Sequence, residues 1–190
     1  MIDLNEIYII DDVIPPDHQN YLLNLYSSSN IDWQFQKDIT YHASHDSFNK
    51  IDRFNPGFSN LIQSLGNFSS PLYHTVAPII YATTDKLNIN ILQILKCRAF
   101  LQFPISNQSN SINNPHIDAE LKHIVILYYL NDSDGETIIY NETTESNEYT
   151  IKDTVKPQKG RCVIFNGKYY HSSSKPTTNI RATININILV

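Results

Sequence analysis

From about residue 89 the chain is a succession of short β-type runs cut apart by turn residues, and this alternation restricts the fold more than any other feature. The runs are 91–103, 123–130, 136–140, 148–155, 161–165, 168–171 and 180–190. Between them lie Pro104 with the Ser/Asn-rich stretch to Pro115, Asn131-Asp132-Ser133-Asp134-Gly135, Pro157 to Gly160, Asn166-Gly167 and Lys175-Pro176. Gly, Asn, Asp and Pro adopt turn backbone at low cost, so many short strands are expected, closed into a sandwich or a small barrel.

The first 88 residues read differently. Ile7-Tyr8-Ile9-Ile10 is a short strand ended by Asp11-Asp12 and Pro15-Pro16-Asp17, and Tyr21, Leu22, Leu25 and Tyr26 fall at helical spacing. Ile31, Trp33 and Phe35 alternate as in a half-buried strand. Residues 37–54 carry His42 and His45 without a clear period; a solvated loop is the plain reading and a substrate-side lid the functional one. Asn55-Pro56 has the form of an N-cap followed by a first-turn proline, which predicts a helix ending near Gly66-Asn67. Ser70-Pro71 repeats that form and opens a longer helix through Leu72, Tyr73, Val76, Ile79 and Ile80, with a kink expected at Pro78. The expected architecture is α+β and mainly β, with N-terminal helices packed on one face of the β core. One domain over residues 1–190 is expected, with helical support and flanking strands in 1–88 and the core in 89–190.

Charge and cysteine usage narrow the partners. The formal net charge is −5 and no Lys/Arg run occurs, so nucleic acid is not an expected partner. Cys97 and Cys162 sit inside apolar stretches and are expected to be buried and reduced. The opening residues lack the basic and apolar regions of a secretory signal, and no apolar run approaches the roughly 20 residues that span a bilayer. A soluble, cytoplasmic protein without membrane contact is expected, and its oligomeric state is not legible.

Chemistry enters with Pro115-His116-Ile117-Asp118. In an extended segment residues two apart share a face, so His116 and Asp118 can present an imidazole and a carboxylate to one point. Alone, such a pair is more often a surface histidine with an aspartate partner. His171 ends the strand-turn segment that begins at Val163 and can be delivered to the same point from a rigid element. Two histidines and one carboxylate leave three coordination positions open, as in non-haem iron(II) oxygenases, whereas a structural zinc site prefers four protein ligands. Arg181 opens the last run, ten residues after His171. A guanidinium turned into a β core is costly unless it meets an anion, and its fork matches a carboxylate; an edge-strand arginine in water is the alternative. Thr183 shares its face and can add a hydroxyl.

This ordered set, His116-x-Asp118, His171 and Arg181, resembles the signature of the iron(II)/2-oxoglutarate-dependent dioxygenase superfamily. Ile124 to Asn131 with Gly135-Glu136-Thr137, and Lys159 to Phe165, look most like its prolyl 4-hydroxylase branch. The resemblance implies a double-stranded β-helix, a jelly-roll barrel with the metal at one mouth. It also implies Fe(II) held by His116, Asp118 and His171, with 2-oxoglutarate and O2 as cosubstrates. Arg181 would pair with the distal carboxylate of 2-oxoglutarate, with Tyr129 and Thr183 as candidate hydroxyl donors. Many relatives carry a cosubstrate-contacting tyrosine at the place occupied here by Phe103, so Tyr129 or Tyr128 would have to compensate. The implied activity is hydroxylation of an unactivated C–H bond of a peptide or small molecule, with peptidyl proline the leading substrate. A free amino acid or other metabolite, a non-catalytic β-barrel binding module and a cupin-like metal enzyme are the rivals.

Of the remaining polar residues, Arg98 and Gln102 share a strand face and turn either to the site mouth or outward. His74 reads as a helix packing residue and His123 as a surface position.

Overall fold

A computed structural model describes residues 3–40, 55–65, 68–104 and 112–190. His42 and His45 lie outside the described residues. In chain order the elements are β1 (Tyr8–Ile10), α1 (Pro16–Tyr26), β2 (Gln34–Gln36), β3 (Gly57–Ser64), β4 (Phe68–Ser69), α2 (Tyr73–Leu87) and β5 (Gln93–Gln102). They continue with β6 (Ile124–Tyr129), β7 (Thr137–Tyr140), β8 (Ile151–Val155), β9 (Cys162–Asn166), β10 (His171–Ser173) and β11 (Arg181–Leu189).

Among the described residues two antiparallel sheets form. The larger runs β1-β9-β6-β11-β5-β3-β2 with β4 beside β3, and the smaller runs β10-β7-β8. Strand alternation gives the larger sheet two different faces. On one side Ile124, Ile126 and Tyr128 of β6, Cys97 and Ala99 of β5 and Ile184, Ile186 and Ile188 of β11 meet Leu22 and Tyr26 of α1 and Val76, Ile79 and Ile80 of α2. On the other, Val125, Leu127, Val163 and Phe165 pack against Ile139 and Val155 of the smaller sheet. Burying each large apolar side chain is worth about 1.5–3 kcal/mol, so the layer under the helices is the main source of stability. Both cysteines are free and buried, as expected.

β11 carries the pattern that builds the site. Its even positions, Ala182 to Ile188, enter the helix-side core, while Arg181, Thr183, Asn185 and Asn187 point the other way. A buried strand face made of polar residues is expensive unless each finds a partner, so this row must be met by polar groups across from it.

The helix expected after Asn55-Pro56 is instead β3, paired along its length with β5. Phe58, Leu61, Ile62 and Leu65 stand at helical spacing, but a register shift between Leu61 and Gln63 breaks the period of two. The bulged strand therefore imitates a helix in its apolar pattern, and pairing with β5 overrides the local signal. The run 168–171 is mostly a turn that delivers His171 to β10. α2 passes through Pro78, His74 is exposed on it rather than packed, and His123 is buried rather than on the surface, with its Nδ1 2.6 Å from the Leu121 carbonyl. No described helix is long and apolar enough to cross a membrane.

Candidate active site

The two sheets part at one end around an open cavity. His116, Asp118 and His171 line it together with Arg181 and Thr183. The first three come together through the backbone. Segment 112–118 runs antiparallel to β10, and His116 and His171 exchange both main-chain hydrogen bonds, at 3.0 and 2.9 Å. Their ring centroids lie 4.7 Å apart.

Each histidine has its tautomer set by a carbonyl. Nδ1 of His116 lies 3.1 Å from Asn114 O, and Nδ1 of His171 lies 3.2 Å from Tyr169 O. A carbonyl only accepts, so Nδ1 carries the proton and each Nε2 keeps its lone pair for another partner. Asp118 Oδ2 accepts from Asn185 Nδ2 at 3.0 Å and lies 3.6 Å from His171 Nε2. Burial alone would raise the Asp118 pKa. The imidazoles of His171 and His116, the Arg98 charge and the Asn185 bond outweigh it and hold the carboxyl well below its usual range. Burial, and then the nearby His171, bring His116 down to about 4. Near neutral pH this corner therefore offers a lone pair on His116 and a carboxylate. One ligand atom from each of His116, Asp118 and His171 lies within 4.8 Å of the others.

This donor set fits a metal ion. Two nitrogens and one oxygen leave positions open, and both thiols are on the far side of the larger sheet.

At the other wall Arg181 is 6 % exposed. Nε donates to Gly135 O at 2.8 Å, Nη1 to Gln102 Oε1 at 3.2 Å and Nη2 to Thr137 Oγ1 at 2.8 Å. These acceptors are all neutral, and among the described residues no carboxylate pairs with the guanidinium. A buried cation satisfied only by neutral oxygens is prepared for an anion that the chain itself does not supply. A Cβ on Gly135 would lie 3.0 Å from Arg181 Cδ, so this glycine leaves room for the arginine stem.

Thr183 lines the cavity beside Arg181. Tyr129 is fully buried behind that wall and donates to Thr137 Oγ1 at 2.8 Å, so it reaches the cavity through Thr137. Phe103 does not occupy the place expected of it. It is 40 % exposed and stacks edge-on against Phe58, whereas Arg98, Phe100 and Gln102 are the β5 residues that line the cavity. Tyr128 likewise belongs to the helix side. Arg98 turns to the site rather than outward. Thr137, Ser173 and Asn185 are site residues that sequence reasoning missed. Counting by twos from Arg181 through Thr183 reaches Asn185, and that signal would have found it.

Two facing antiparallel sheets with His-x-Asp and a distal histidine at the open end have the arrangement of a double-stranded β-helix with a candidate metal site at its mouth. Residues 103–189 match the family described as the 2OG-Fe(II) oxygenase superfamily. The match covers a little under half of the chain, and members of that superfamily use Fe(II), 2-oxoglutarate and O2.

Similar solved structures share the fold. One is a prolyl hydroxylase from Trichoplax adhaerens in complex with a hypoxia inducible factor peptide, 20% identical, covering 97% of this chain and 84% of that one at TM-score 0.59. Another is the viral collagen prolyl hydroxylase of Paramecium Bursaria Chlorella virus-1, 14% identical over 96% and 94% at TM-score 0.58. A third is the alpha ketoglutarate dependent epimerase SnoN of nogalamycin biosynthesis, 15% identical over 96% and 78% at TM-score 0.65. No curated protein sequence matches the chain.

Proposed function

We propose that the cavity binds Fe(II) through His116, Asp118 and His171 and 2-oxoglutarate through Arg181, and that the protein hydroxylates an unactivated C–H bond. The observation that carries this reading is the buried Arg181 guanidinium without an anionic partner among the described residues, in the same cavity as the His-Asp-His cluster. When bound, iron with 2-oxoglutarate and O2 supplies the oxidant: one oxygen atom enters the substrate alcohol, and the other leaves in succinate beside CO2.

The chain's own residues bind and orient. The fork of Arg181, set by Gly135, Gln102 and Thr137, takes the distal carboxylate of the keto acid, with Thr183 as a further donor. Tyr129 supports this end by holding Thr137. Carbonyls of Asn114 and Tyr169 place the proton of each neutral ring on Nδ1 and so turn the Nε2 lone pair toward the ion, and Asn185 fixes the Asp118 carboxylate. Val125, Leu127 and Phe165 give the cavity a dry apolar wall.

Peptidyl proline is the leading substrate, supported by the resemblance to prolyl 4-hydroxylases and by two fold neighbours of that name. A free amino acid or small metabolite is the second reading, favoured by the charged Arg98 on the cavity wall. We take residues 1–190 to act as one domain, and the two free buried cysteines accord with a reducing compartment such as the cytoplasm. The test is succinate formation from 2-oxoglutarate by protein purified anaerobically and given iron(II), with prolyl peptides and amino acids as candidates. Product from one class identifies it, and no iron-dependent succinate with or without candidates overturns the reading.

A further inference from the structure

We propose that Arg98 is an anion-recognition point of the substrate pocket and that the substrate carries a carboxylate held there. This rests on the oxygenase reading above and adds the class of substrate to it.

Arg98 lines the cavity from β5. In the strand register Arg181 stands opposite Gln102, whereas Arg98 stands opposite Asn185, the residue that holds Asp118. Four residues of strand separate the two levels, roughly 13 Å of backbone. Arg98 is therefore level with the metal ligands, and its charge acts on both Asp118 and His116. Its guanidinium carbon lies 4.9 Å from the centre of the Phe100 ring, a contact that orients the fork without neutralising it. Among the described residues it makes no hydrogen bond or ion pair. Lys96, two residues earlier on β5 and half-buried, adds a second cation nearby.

Charge balance gives the direction. Two guanidiniums, Arg98 and Arg181, and one carboxylate, Asp118, line the cavity. A divalent ion and a dianionic keto acid cancel one another, so the loaded site keeps one positive charge, located at Arg98. The chain as a whole is acidic, at −5, which makes this positive cavity wall a local exception. A neutral prolyl segment leaves Arg98 desolvated and unpaired, while a carboxylate gives the planar fork the partner that it fits. The same carboxylate chemistry is offered by a free amino acid and by an Asp or Glu beside the reacting residue of a peptide.

The test uses the full chain loaded with zinc(II) and 2-oxoglutarate, so that binding is read without turnover. Calorimetry compares N-acetyl amino acids with their N-acetyl amides, and short Asp- or Glu-containing peptides with their Asn or Gln counterparts. Acids are expected to bind at least about tenfold tighter than their neutral partners. In Arg98→Gln this preference should shrink to within about twofold, and Arg98→Lys should keep part of it. The amino-acid and peptide arms tell the two sources apart. Titration of 2-oxoglutarate alone tests the oxygenase reading separately, and Arg98→Gln should leave that affinity within about threefold. The proposal falls if acids and amides bind the unaltered protein alike, or if no acid binds at millimolar concentration. It also falls if Arg98→Gln weakens 2-oxoglutarate as strongly as the loss of Arg181 does. The comparison on the unaltered chain stands even if the variants fail to fold.

Discussion

His116 and His171 are joined by a reciprocal pair of main-chain hydrogen bonds, so the 4.7 Å separation of their rings is fixed by strand register rather than by side-chain packing. Asp118 enters the same corner because it is two residues along the same extended segment. The backbone thus positions the three proposed ligands, and the support around them should be measurable one contact at a time.

Asn185 donates to Asp118 and to no other described residue. Removing it in Asn185→Ala should leave the fold intact and weaken metal affinity by about 10–100-fold, the usual cost of losing a partner behind a ligand. Competition with a fluorescent chelator measures this, and an unchanged affinity would show that Asp118 needs no such support.

Arg181 meets three neutral acceptors and faces the cavity. Arg181→Ala should raise the KM for 2-oxoglutarate by roughly 100-fold, the scale of lost hydrogen bonds to a charged group. Metal affinity should be nearly unaffected. A KM that stays put means that the arginine is not the clamp.

At Gly135 the added methyl of Gly135→Ala lies 3.0 Å from both Arg181 Cδ and Ser174 O, and something must yield. The arginine stem is the more movable neighbour. The KM for 2-oxoglutarate should rise by about tenfold, in line with the cost of small misplacements in a site, while thermal stability changes little. Steady-state kinetics beside a melting curve separate the two effects.

Much of this was legible in the sequence. β6 is buried on both faces and appears in the chain as an unbroken apolar run, and β11 appears as an alternation that begins at Arg181. His116-x-Asp118 is visible because its spacing matches the strand period. β3 was not legible, because its pairing partner lies about forty residues away and its bulge imitates a helical apolar pattern. The place given to Phe103 failed because its ring packs against Phe58 away from the cavity, and neighbouring positions of a strand take opposite faces. Buried His123 was missed because nothing local distinguishes a histidine covered by a later turn from one in water.

The pH dependence has a definite sign. His116 has its pKa lowered to about 4 by burial and by His171, below the value of about 6.5 that an unfolded histidine has. Between those values the unfolded chain binds the extra proton and the folded chain does not, so stability falls as pH drops from 6.5 toward 4. The metal-free protein should lose melting temperature over that window, and His116→Gln should lose less. Equal losses would mean that His116 does not resist protonation in the folded state.

Anaerobic titration of Fe(II) into the unaltered protein, Asp118→Ala and His171→Ala addresses the central claim directly. The unaltered chain should bind a single ion, and each variant should keep its circular dichroism spectrum while losing more than the roughly 100-fold that an outer contact costs. Folded variants that bind iron as tightly as the unaltered chain would contradict the account.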